Sequence, residues 1–430
     1  MARIVLNTFG SFGDLHPYLA IAIELRRRGH EAVVATSEVY RCKVVGEDVG
    51  FAPVRPDVGE LLANTELLRK IWDPKRGSEY LYRDYLIPST EKSFEDLIAV
   101  CKGADLLVTH FGNCAGPVVA QYLKLPWLSV ALQPIVFFSR SDPPVVAVAP
   151  WLRHFYRFGT FPALRALAKV SSARWSGSLL ELRRRFGLPT EQHPLFEGQF
   201  SPMGTLALFS RHFARPQQDW PPKTVATGFV FYDRRGESLG GADGLEPGLA
   251  RFLDQGSAPV VFTLGSSAVM QAGTFFRESA EAAKHLGVRA VLLVGASEDH
   301  SQAEDLPESI FVVDYAPFSE LMPRAVVNVH QGGIGTTGQA LRAGKPMVVV
   351  PWSHDQPDNA ERLRRLGVSR TIGRSEYTSE RVGRELQGLF QDGECKQRAA
   401  DLSRMIAAED GLRKACDVIE DVLMAADKRG

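Results

Sequence analysis

The stretch Val329-His-Gln-Gly-Gly-Ile-Gly-Thr-Thr-Gly338 joins a short apolar run to a helical pattern through a glycine-rich turn. This order brings free backbone N–H groups, the positive end of a helix dipole and two threonine hydroxyls close to His330. Such a convergence is typical of a site for a diphosphate. The alternative is a turn whose glycines only allow close helix packing, but it gives no reason for the histidine and the paired threonines.

Apolar runs on both sides of this stretch indicate a parallel sheet. They lie at residues 259–265, 289–295, 310–313, 326–329 and 347–351, and helical segments separate them. Short apolar strands that alternate with helices are typical of a doubly wound α/β sheet, which is covered on both faces. The C-terminal half of the chain is therefore predicted to form one such sheet.

A second series of apolar runs precedes the first, at residues 3–8, 31–36, 105–110 and 127–131. A polar, glycine-rich stretch separates the two series and has the composition of a linker. We therefore predict an α/β protein of two Rossmann-like, doubly wound parallel-sheet domains. The predicted divisions are an N-terminal domain at 1–232, a linker at 233–245, a C-terminal domain at 246–405 and a terminal helix at 406–430 that packs back toward the N-terminal domain.

Composition excludes several classes of function. The 430 residues include 50 basic and 50 acidic side chains, so no positive excess favours a nucleic acid or an anionic membrane. No run approaches the roughly 20 apolar residues of a membrane-spanning helix, and residues 1–6 lack a signal-peptide pattern. The cysteines have no CxxC spacing and indicate reduced thiols in a cytoplasmic enzyme; they are Cys42, Cys101, Cys114, Cys395 and Cys416.

Two further loops follow predicted strands, where open parallel sheets bind their ligands. Thr8-Phe-Gly-Ser-Phe-Gly-Asp-Leu-His-Pro17 has the spacing Gly-x-x-Gly, which is a weak coenzyme signal. Its Asp14 stands where it could cap a helix or act in catalysis. Pro351-Trp-Ser-His-Asp-Gln-Pro-Asp-Asn359 places a carboxylate beside an amide, although Asp355 and Asp358 could also be ordinary helix caps, which is the preferred interpretation for Asp358.

Residues 330–356 resemble the donor-binding signature of the nucleotide-sugar glycosyltransferases with the GT-B fold. This family includes plant secondary-product enzymes, macrolide and glycopeptide transferases, and bacterial rhamnosyl and sterol glucosyl transferases. The similarity extends to the N-terminal loop and to the overall layout, so it spans most of the chain. It implies two domains that face each other across a cleft and an enzyme that transfers a sugar from a nucleoside-diphosphate sugar to an acceptor.

The resemblance also implies which residues bind the donor. His330 would contact the diphosphate, Tyr315 stands where plant enzymes stack a tryptophan on the base, and Gln339 lies near the ribose-binding position after a one-residue insertion. Asp355 and Gln356 match the pair that contacts the sugar, while an ordinary serine-rich turn is the alternative for Ser266 and Ser267. The full predicted donor set is Gly13, Ser266, Ser267, Tyr315, Ala316, His330, Gly332, Gly333, Gly335, Thr336, Thr337, Gln339, Asp355 and Gln356.

The catalytic residues follow from the N-terminal loop. In the related enzymes the residue after the second glycine is the general base, and here that residue is Asp14. His110 ends a predicted strand and would pair with Asp14 to tune or relay the acceptor proton, although a lone histidine at a strand end is often structural. The region 134–203 is expected to shape the acceptor pocket. The predicted acceptor-binding residues, for which core packing is the alternative, are His16, Phe137, Phe138 and Trp151.

The expected reaction is an inverting transfer that uses no cofactor. It is also expected to need no metal ion, because no DxD-type acidic pair stands where a divalent ion would bridge the diphosphate. The expected partners are UDP-glucose or dTDP-rhamnose and a small hydrophobic acceptor such as a flavonoid or another phenol, with a sterol or lipid as the alternative acceptor. A GT-B-fold epimerase and a noncatalytic sugar-nucleotide-binding protein are alternatives of other classes. The chain is expected to be a monomer or a weak homodimer.

Overall fold

The chain forms two compact units. Unit 1 consists of Met1–Tyr232 and Glu409–Gly430, and unit 2 consists of Asp233–Ala408. The computed structural model describes residues 1–147, 151, 155–156, 159–232, 244–295 and 306–427. Most of the predicted linker, 233–245, lies outside these residues. The chain therefore leaves unit 1 for unit 2 and returns to unit 1 at its end.

Unit 1 contains a parallel sheet with the strand order β3-β2-β1-β4-β5-β6-β7. Its strands are β1 (Arg3–Asn7), β2 (Glu31–Thr36), β3 (Gly50–Pro53), β4 (Leu106–His110), β5 (Trp127–Ala131), β6 (Thr205–Ala207) and β7 (Thr224–Ala226). The strand order reverses between β1 and β4, where Ile4 lies opposite Leu106. Both strands are buried along nearly their whole length, which explains their continuous apolar sequence.

Helices cover this sheet. Those before residue 232 are α1 (Phe12–Arg27), α2 (Arg41–Val45), α3 (Val58–Ala63), α4 (Thr65–Ile71), α5 (Gly77–Tyr80), α6 (Thr90–Cys101), α7 (Gly116–Leu123), α8 (Phe161–Ala173) and α9 (Gly177–Arg185). The first of them, α1, buries Leu15, Leu19 and Ala22, which stand at helical spacing. Because α1 follows β1 directly, its N-terminus lies at the carboxyl end of the sheet.

Unit 2 repeats the same architecture with the strand order β10-β9-β8-β11-β12-β13, again all parallel. The strands are β8 (Val260–Thr263), β9 (Ala290–Leu293), β10 (Ile310–Val313), β11 (Val327–His330), β12 (Met347–Val349) and β13 (Ser369–Thr371). Its helices are α10 (Pro247–Asp254), α11 (Gly265–Ala268), α12 (Phe275–Leu286), α13 (Phe318–Leu321), α14 (Ile334–Ala343), α15 (Gln356–Arg365), α16 (Ser379–Gln391) and α17 (Gly393–Ala407). Two doubly wound parallel sheets confirm the predicted fold class.

The last helix, α18 (Gly411–Asp427), belongs to unit 1 and packs against α1. Its Cys416 and Ile419 are fully buried, and Arg28 pairs with Asp417 and Glu420, each at 2.7 Å. Two chain segments about 390 residues apart in sequence are thus joined in one core. None of the helices in the described part of the chain is long and apolar enough to cross a membrane.

Candidate catalytic and donor-binding sites

Asp14 and His110 meet at the carboxyl ends of β1 and β4. Oδ2 of Asp14 accepts hydrogen bonds from the backbone N–H of Ser11 at 2.8 Å and from its hydroxyl at 3.3 Å. Oδ1 of Asp14 lies 3.6 Å from Nε2 of His110, slightly too far for a hydrogen bond. Asp14 therefore caps α1 with one oxygen and presents the other to His110, so the two interpretations of this residue are compatible.

The ring of His110 has a defined tautomer. The backbone N–H of Gly112 donates to Nδ1 of His110 over 3.1 Å, so Nδ1 carries no proton. Burial lowers the pKa of His110 to about 3, which keeps the ring neutral with its proton on Nε2. Nε2 is buried and makes no hydrogen bond within the described part of the chain. In this arrangement His110 is a hydrogen-bond donor that faces Asp14, and it is not placed to accept a proton.

The environment of Asp14 raises the pKa of its carboxyl group toward neutral pH. Burial raises the pKa of Asp14 to about 6, against the hydrogen bonds from Ser11, which lower it. A carboxylate with this pKa is ionised at neutral pH and is a stronger base than an ordinary aspartate. Gly10 makes the arrangement possible, since a Cβ there would lie 2.2 Å from Oδ2 of Asp14 and its φ is +136°.

The structure places the predicted acceptor-binding residues in different environments. His16 packs against Phe12 and Tyr232 with ring centroids 5.3 and 5.1 Å apart. Phe137 is 4% exposed and stacks on Trp220 at 4.4 Å. The ring of Phe137 is part of the hydrophobic core, which favours the core-packing alternative for this residue.

Phe138 and Trp151 have less buried positions. The ring of Phe138 is partly buried, and it stacks on Phe161 at 5.8 Å and meets the edge of Phe196 at 5.5 Å. Trp151 is 60% exposed and lies edge-on to Phe155 at 5.9 Å. Part of each of these two side chains is exposed and accessible to a hydrophobic ligand, whereas the ring of Phe137 is buried.

His330 ends β11 and repeats the arrangement of His110. The backbone N–H of Gly332 donates to Nδ1 of His330 over 3.1 Å, and burial lowers the pKa of His330 to about 3. The ring proton is therefore on Nε2, which is buried and has no hydrogen-bond partner among the described residues. A buried N–H donor of this kind would be satisfied by an anionic oxygen of a ligand.

The start of α14 lies directly after His330. Gly333 is its N-cap residue, and the N–H groups of the first turn, including that of Gly335, have no acceptor within the helix. The hydroxyl of Thr337 is fully buried and has no partner in the part of the chain described here, whereas Thr336 accepts a bond from Gln331 at 3.3 Å. These groups give the loop several hydrogen-bond donors for an anion.

One predicted amide is already engaged. The N–H of Gly332 is bonded to His330, so it is not the free loop donor that was expected. Gly13 is a second such case, because its N–H donates to the hydroxyl of Ser11 at 3.2 Å within the cap of α1. Both glycines shape their loops, and their backbone N–H groups do not point to an open ligand position.

Gln356 and Asp355 lie at the start of α15. Oε1 of Gln356 accepts hydrogen bonds from the backbone N–H groups of Trp352 at 2.7 Å and Ser353 at 3.2 Å. This carbonyl therefore braces the loop after β12 and leaves the Nε2 hydrogens of Gln356 for a ligand. Asp355 is the N-cap residue, but its side chain makes no capping bond and accepts instead from Nδ2 of Asn359 at 2.6 Å.

Asp358 is not a helix cap, contrary to the interpretation preferred from the sequence. It lies within the first turn of α15 and forms a fully buried ion pair with Arg362 at 2.8 Å. An ion pair four residues apart on one helix face can stabilise the helix. Asp358 is thus a structural residue, as expected, although for a different reason.

The remaining predicted donor residues lie on neighbouring loops of unit 2. Ser266 is exposed and Ser267 partly buried in α11, which follows β8. Tyr315 is partly buried after β10, and the side chain of Ala316 packs in the core with Leu249 and Leu321. Gln339 is 6% exposed within α14. Among the described residues, no group of three or more His, Cys, Asp or Glu side chains is arranged to hold a metal.

Sequence reasoning did not identify Ser11, Gly112 and Asn359, which hold the functional side chains in place. Ser11 had a recognisable signal, because Ser-x-x-Asp before an apolar helix is a capping pattern. Gly112 and Gly332 share another, since each stands two residues after a strand-end histidine. Asn359 gave no such signal, because its partners come from two different loops.

The chain is similar to proteins of known activity along most of its length. It is 31% identical over 438 residues to O-mycaminosyltylonolide 6-deoxyallosyltransferase of Streptomyces fradiae, and the alignment covers 97% of each chain. It is 29% identical over 443 residues to a sterol 3-beta-glucosyltransferase of Cryptococcus neoformans var. neoformans serotype D, covering 97% of this chain and 27% of that protein. Residues 282–420 match the family model described as erythromycin biosynthesis protein CIII-like, C-terminal domain.

Solved structures show the same fold. A spinosyn rhamnosyltransferase in complex with thymidine diphosphate has a TM-score of 0.70 at 19% identity, and the match covers 98% of this chain and 99% of the other. At this identity the likeness concerns the arrangement of helices and strands. It agrees with the two doubly wound sheets described above.

Proposed function

Because this chain belongs to the GT-B family of glycosyltransferases, we propose that it transfers a 6-deoxyhexose from a thymidine-diphosphate sugar to a hydroxyl of a hydrophobic natural product. The observation that carries this proposal is the full-length similarity to a protein named as a 6-deoxyallosyltransferase acting on O-mycaminosyltylonolide. We assign acceptor binding to the N-terminal domain, residues 1–232, and donor binding to residues 246–405.

Asp14 is the proposed general base. Its Oδ1 takes the proton of the acceptor hydroxyl, while Oδ2 remains bonded to Ser11 and holds the carboxylate in place. The neutral Nε2–H of His110 faces the same Oδ1 and stabilises its negative charge before the proton arrives. Of the two roles expected for His110, tuning and proton relay, we propose the tuning role, because Nδ1 already accepts the N–H of Gly112.

The deprotonated oxygen attacks the anomeric carbon while the bond from that carbon to the diphosphate oxygen breaks. A direct displacement of this kind inverts the anomeric centre. The buried Nε2–H of His330 and the first-turn N–H groups of α14 donate to the departing diphosphate, and they are aimed at the place where negative charge develops. We propose that these donors replace a metal ion and that turnover is unaffected by EDTA.

The acceptor class is narrowed by the relatives named above. None of these proteins is named for a flavonoid, so the flavonoid or phenol expected from the sequence as the acceptor has no specific support. A macrolide-type hydroxyl is favoured by the deoxyallosyltransferase. A sterol hydroxyl with UDP-glucose as donor is the second candidate, because the sterol glucosyltransferase matches 97% of this chain at 29% identity.

The test is a matrix of transfer reactions analysed by mass spectrometry. Purified protein is incubated with dTDP-rhamnose or UDP-glucose, each with a macrolactone, a sterol or a flavonol as acceptor. A deoxyhexose adduct on the macrolactone supports the proposal, and a hexose adduct on the sterol supports the second candidate. Adducts on the flavonol alone would overturn both in favour of a phenol glycosyltransferase.

A further inference from the structure

The two ligand loops of unit 2 are packed directly against each other. The diphosphate loop, defined as residues 331–333, follows β11, and the sugar loop, defined as residues 349–356, runs from the last residue of β12 to the first residue of α15. At Gly332, whose φ is +85°, a Cβ would lie 2.8 Å from Val349 and 3.3 Å from the carbonyl oxygen of Gln356. Gly332 has no side chain that could reach across this contact, and a neighbouring residue bridges the two loops.

Asn359 is that bridge. It lies in α15, is fully buried, and its Nδ2 donates both to the carbonyl oxygen of Gly332 at 2.9 Å and to Oδ2 of Asp355 at 2.6 Å. Both partners are acceptors, so the orientation of the amide is determined by the hydrogen bonds. Its Oδ1 is buried and makes no hydrogen bond in the described part of the chain.

We propose that Asn359 is a positioning residue that orients the carboxylate of Asp355 toward the hydroxyls of the donor sugar and couples it to the diphosphate loop. This inference rests on the proposed function. One amide nitrogen of Asn359 thus holds both Oδ2 of Asp355 and the backbone carbonyl oxygen of Gly332. The carboxylate that contacts the sugar is thereby held at a fixed position relative to the diphosphate loop.

The chemistry of the bridge requires an amide of this length. Two acceptors must be satisfied by one group, and the two N–H bonds of a primary amide do so. Aspartate at this position has nearly the same shape, but it has no N–H and would place a second carboxylate beside that of Asp355. Two carboxylates at this distance share a proton at low pH and repel each other when both are ionised.

The test is calorimetric binding of two probes to the full-length protein. One is the nucleoside diphosphate alone, and the other is dTDP-rhamnose or UDP-glucose, whichever supports transfer. For Asn359→Asp at neutral pH we expect the affinity gained from the sugar to fall about tenfold or more, while the affinity for the nucleoside diphosphate changes far less. The gain from the sugar should return as the pH is lowered, because a shared proton restores a donor to Asp355.

Gln397→Glu is the matched control. Nε2 of Gln397 also donates to a carboxylate four residues away on a helix, that of Asp401 at 2.8 Å, but this pair is exposed. The control should bind both probes as the wild type does. If Asn359→Asp fails to fold, as judged by circular dichroism, Asn359→Ser replaces it, because a hydroxyl can satisfy only one of the two acceptors.

The outcomes separate the two hypotheses. A variant that loses affinity equally for both probes at every pH would overturn the inference and leave Asn359 as a brace of the fold. Wild-type protein that binds neither probe would instead overturn the proposed function. A selective, pH-dependent loss of the sugar's contribution supports the positioning role.

Discussion

At the scale of single residues, a neutral histidine lies beside a carboxylate of raised pKa at the carboxyl ends of β1 and β4. Gly112 holds Nδ1 of His110, and Ser11 holds Oδ2 of Asp14, so the free atom of each side chain faces the other at 3.6 Å. Neither orientation follows from residue type alone. Both follow from backbone N–H groups two or three residues away.

Replacement of Asp14 by Asn tests its role as the base. Asparagine keeps the shape and remains a good N-cap neighbour, but it cannot accept the proton, so we expect kcat to fall by about 10²–10⁴. Binding of the nucleoside diphosphate should be unchanged. Asp48→Asn is the control, because Asp48 is exposed and has φ of 59°, which asparagine tolerates; near-normal turnover of Asp14→Asn would exclude Asp14 as the base.

The pH dependence of turnover should report the same group. Since only the carboxylate form of Asp14 accepts a proton and its pKa is raised to about 6, kcat/KM should increase with pH through about 6 and then level off. His110 and His330, with pKa values lowered to about 3, stay neutral over this range and add no second step. Steady-state rates at a series of pH values check this, and a midpoint near the ordinary value of 3.8 would contradict it.

At the scale of elements, the two sheets carry the same histidine–glycine arrangement at the ends of equivalent strands. β4 adjoins β1, and β11 adjoins β8, at the point where each strand order reverses. Each of the two strands ends in a histidine followed two residues later by a glycine that donates to Nδ1. The pattern His-x-Gly is visible in the sequence at residues 110–112 and 330–332, but its meaning depends on the position of the strands.

Gly332→Ala tests the contact between the diphosphate and sugar loops. A Cβ at Gly332 would lie 2.8 Å from Val349, and the backbone at this position has a left-handed φ of +85°. We therefore expect a loss of about 1–3 kcal/mol in the free energy of unfolding. Gly287→Ala shares the left-handed conformation, with φ of +64°, but its Cβ would meet nothing within 4 Å. Urea unfolding of both variants separates strain from steric clash, and equal losses would show that the contact contributes nothing.

The long apolar runs predicted the buried strands well. The short strands at the sheet edges were not predicted, for a physical reason. β2 and β10 have the predicted bounds. In contrast, β3, β7 and β13 contain three or four residues each with partial exposure, so they lack a continuous apolar run. The loops at the carboxyl ends of long buried strands were therefore found, whereas the role of Phe137 could not be decided from the sequence because an aromatic residue in a loop can equally belong to the core.

At the scale of the whole molecule, unit 1 is discontinuous in sequence. The predicted terminal segment began at 406, whereas the chain returns to unit 1 at Glu409 and forms α18 from Gly411. The interface with α1 combines buried apolar side chains with the ion pairs of Arg28. Cytoplasmic location and a monomer or weak homodimer remain predictions.

Ile419→Ala measures what α18 contributes to unit 1. Ile419 is fully buried, so removing its outer carbons should cost about 2–5 kcal/mol of unfolding free energy. Met424, on the same helix, is 56% exposed, and Met424→Ala should change stability by less than about 0.5 kcal/mol. Thermal unfolding followed by circular dichroism compares them; similar stabilities would mean that α18 is only loosely attached.

The return of α18 also sets an order of events during synthesis. Domains near the N-terminus usually fold first as a chain leaves the ribosome, but the core of unit 1 lacks its last helix until every residue of unit 2 has been made. The nascent N-terminal half must therefore wait with part of α1 uncovered. The segment that is translated first is therefore the one whose core is completed last.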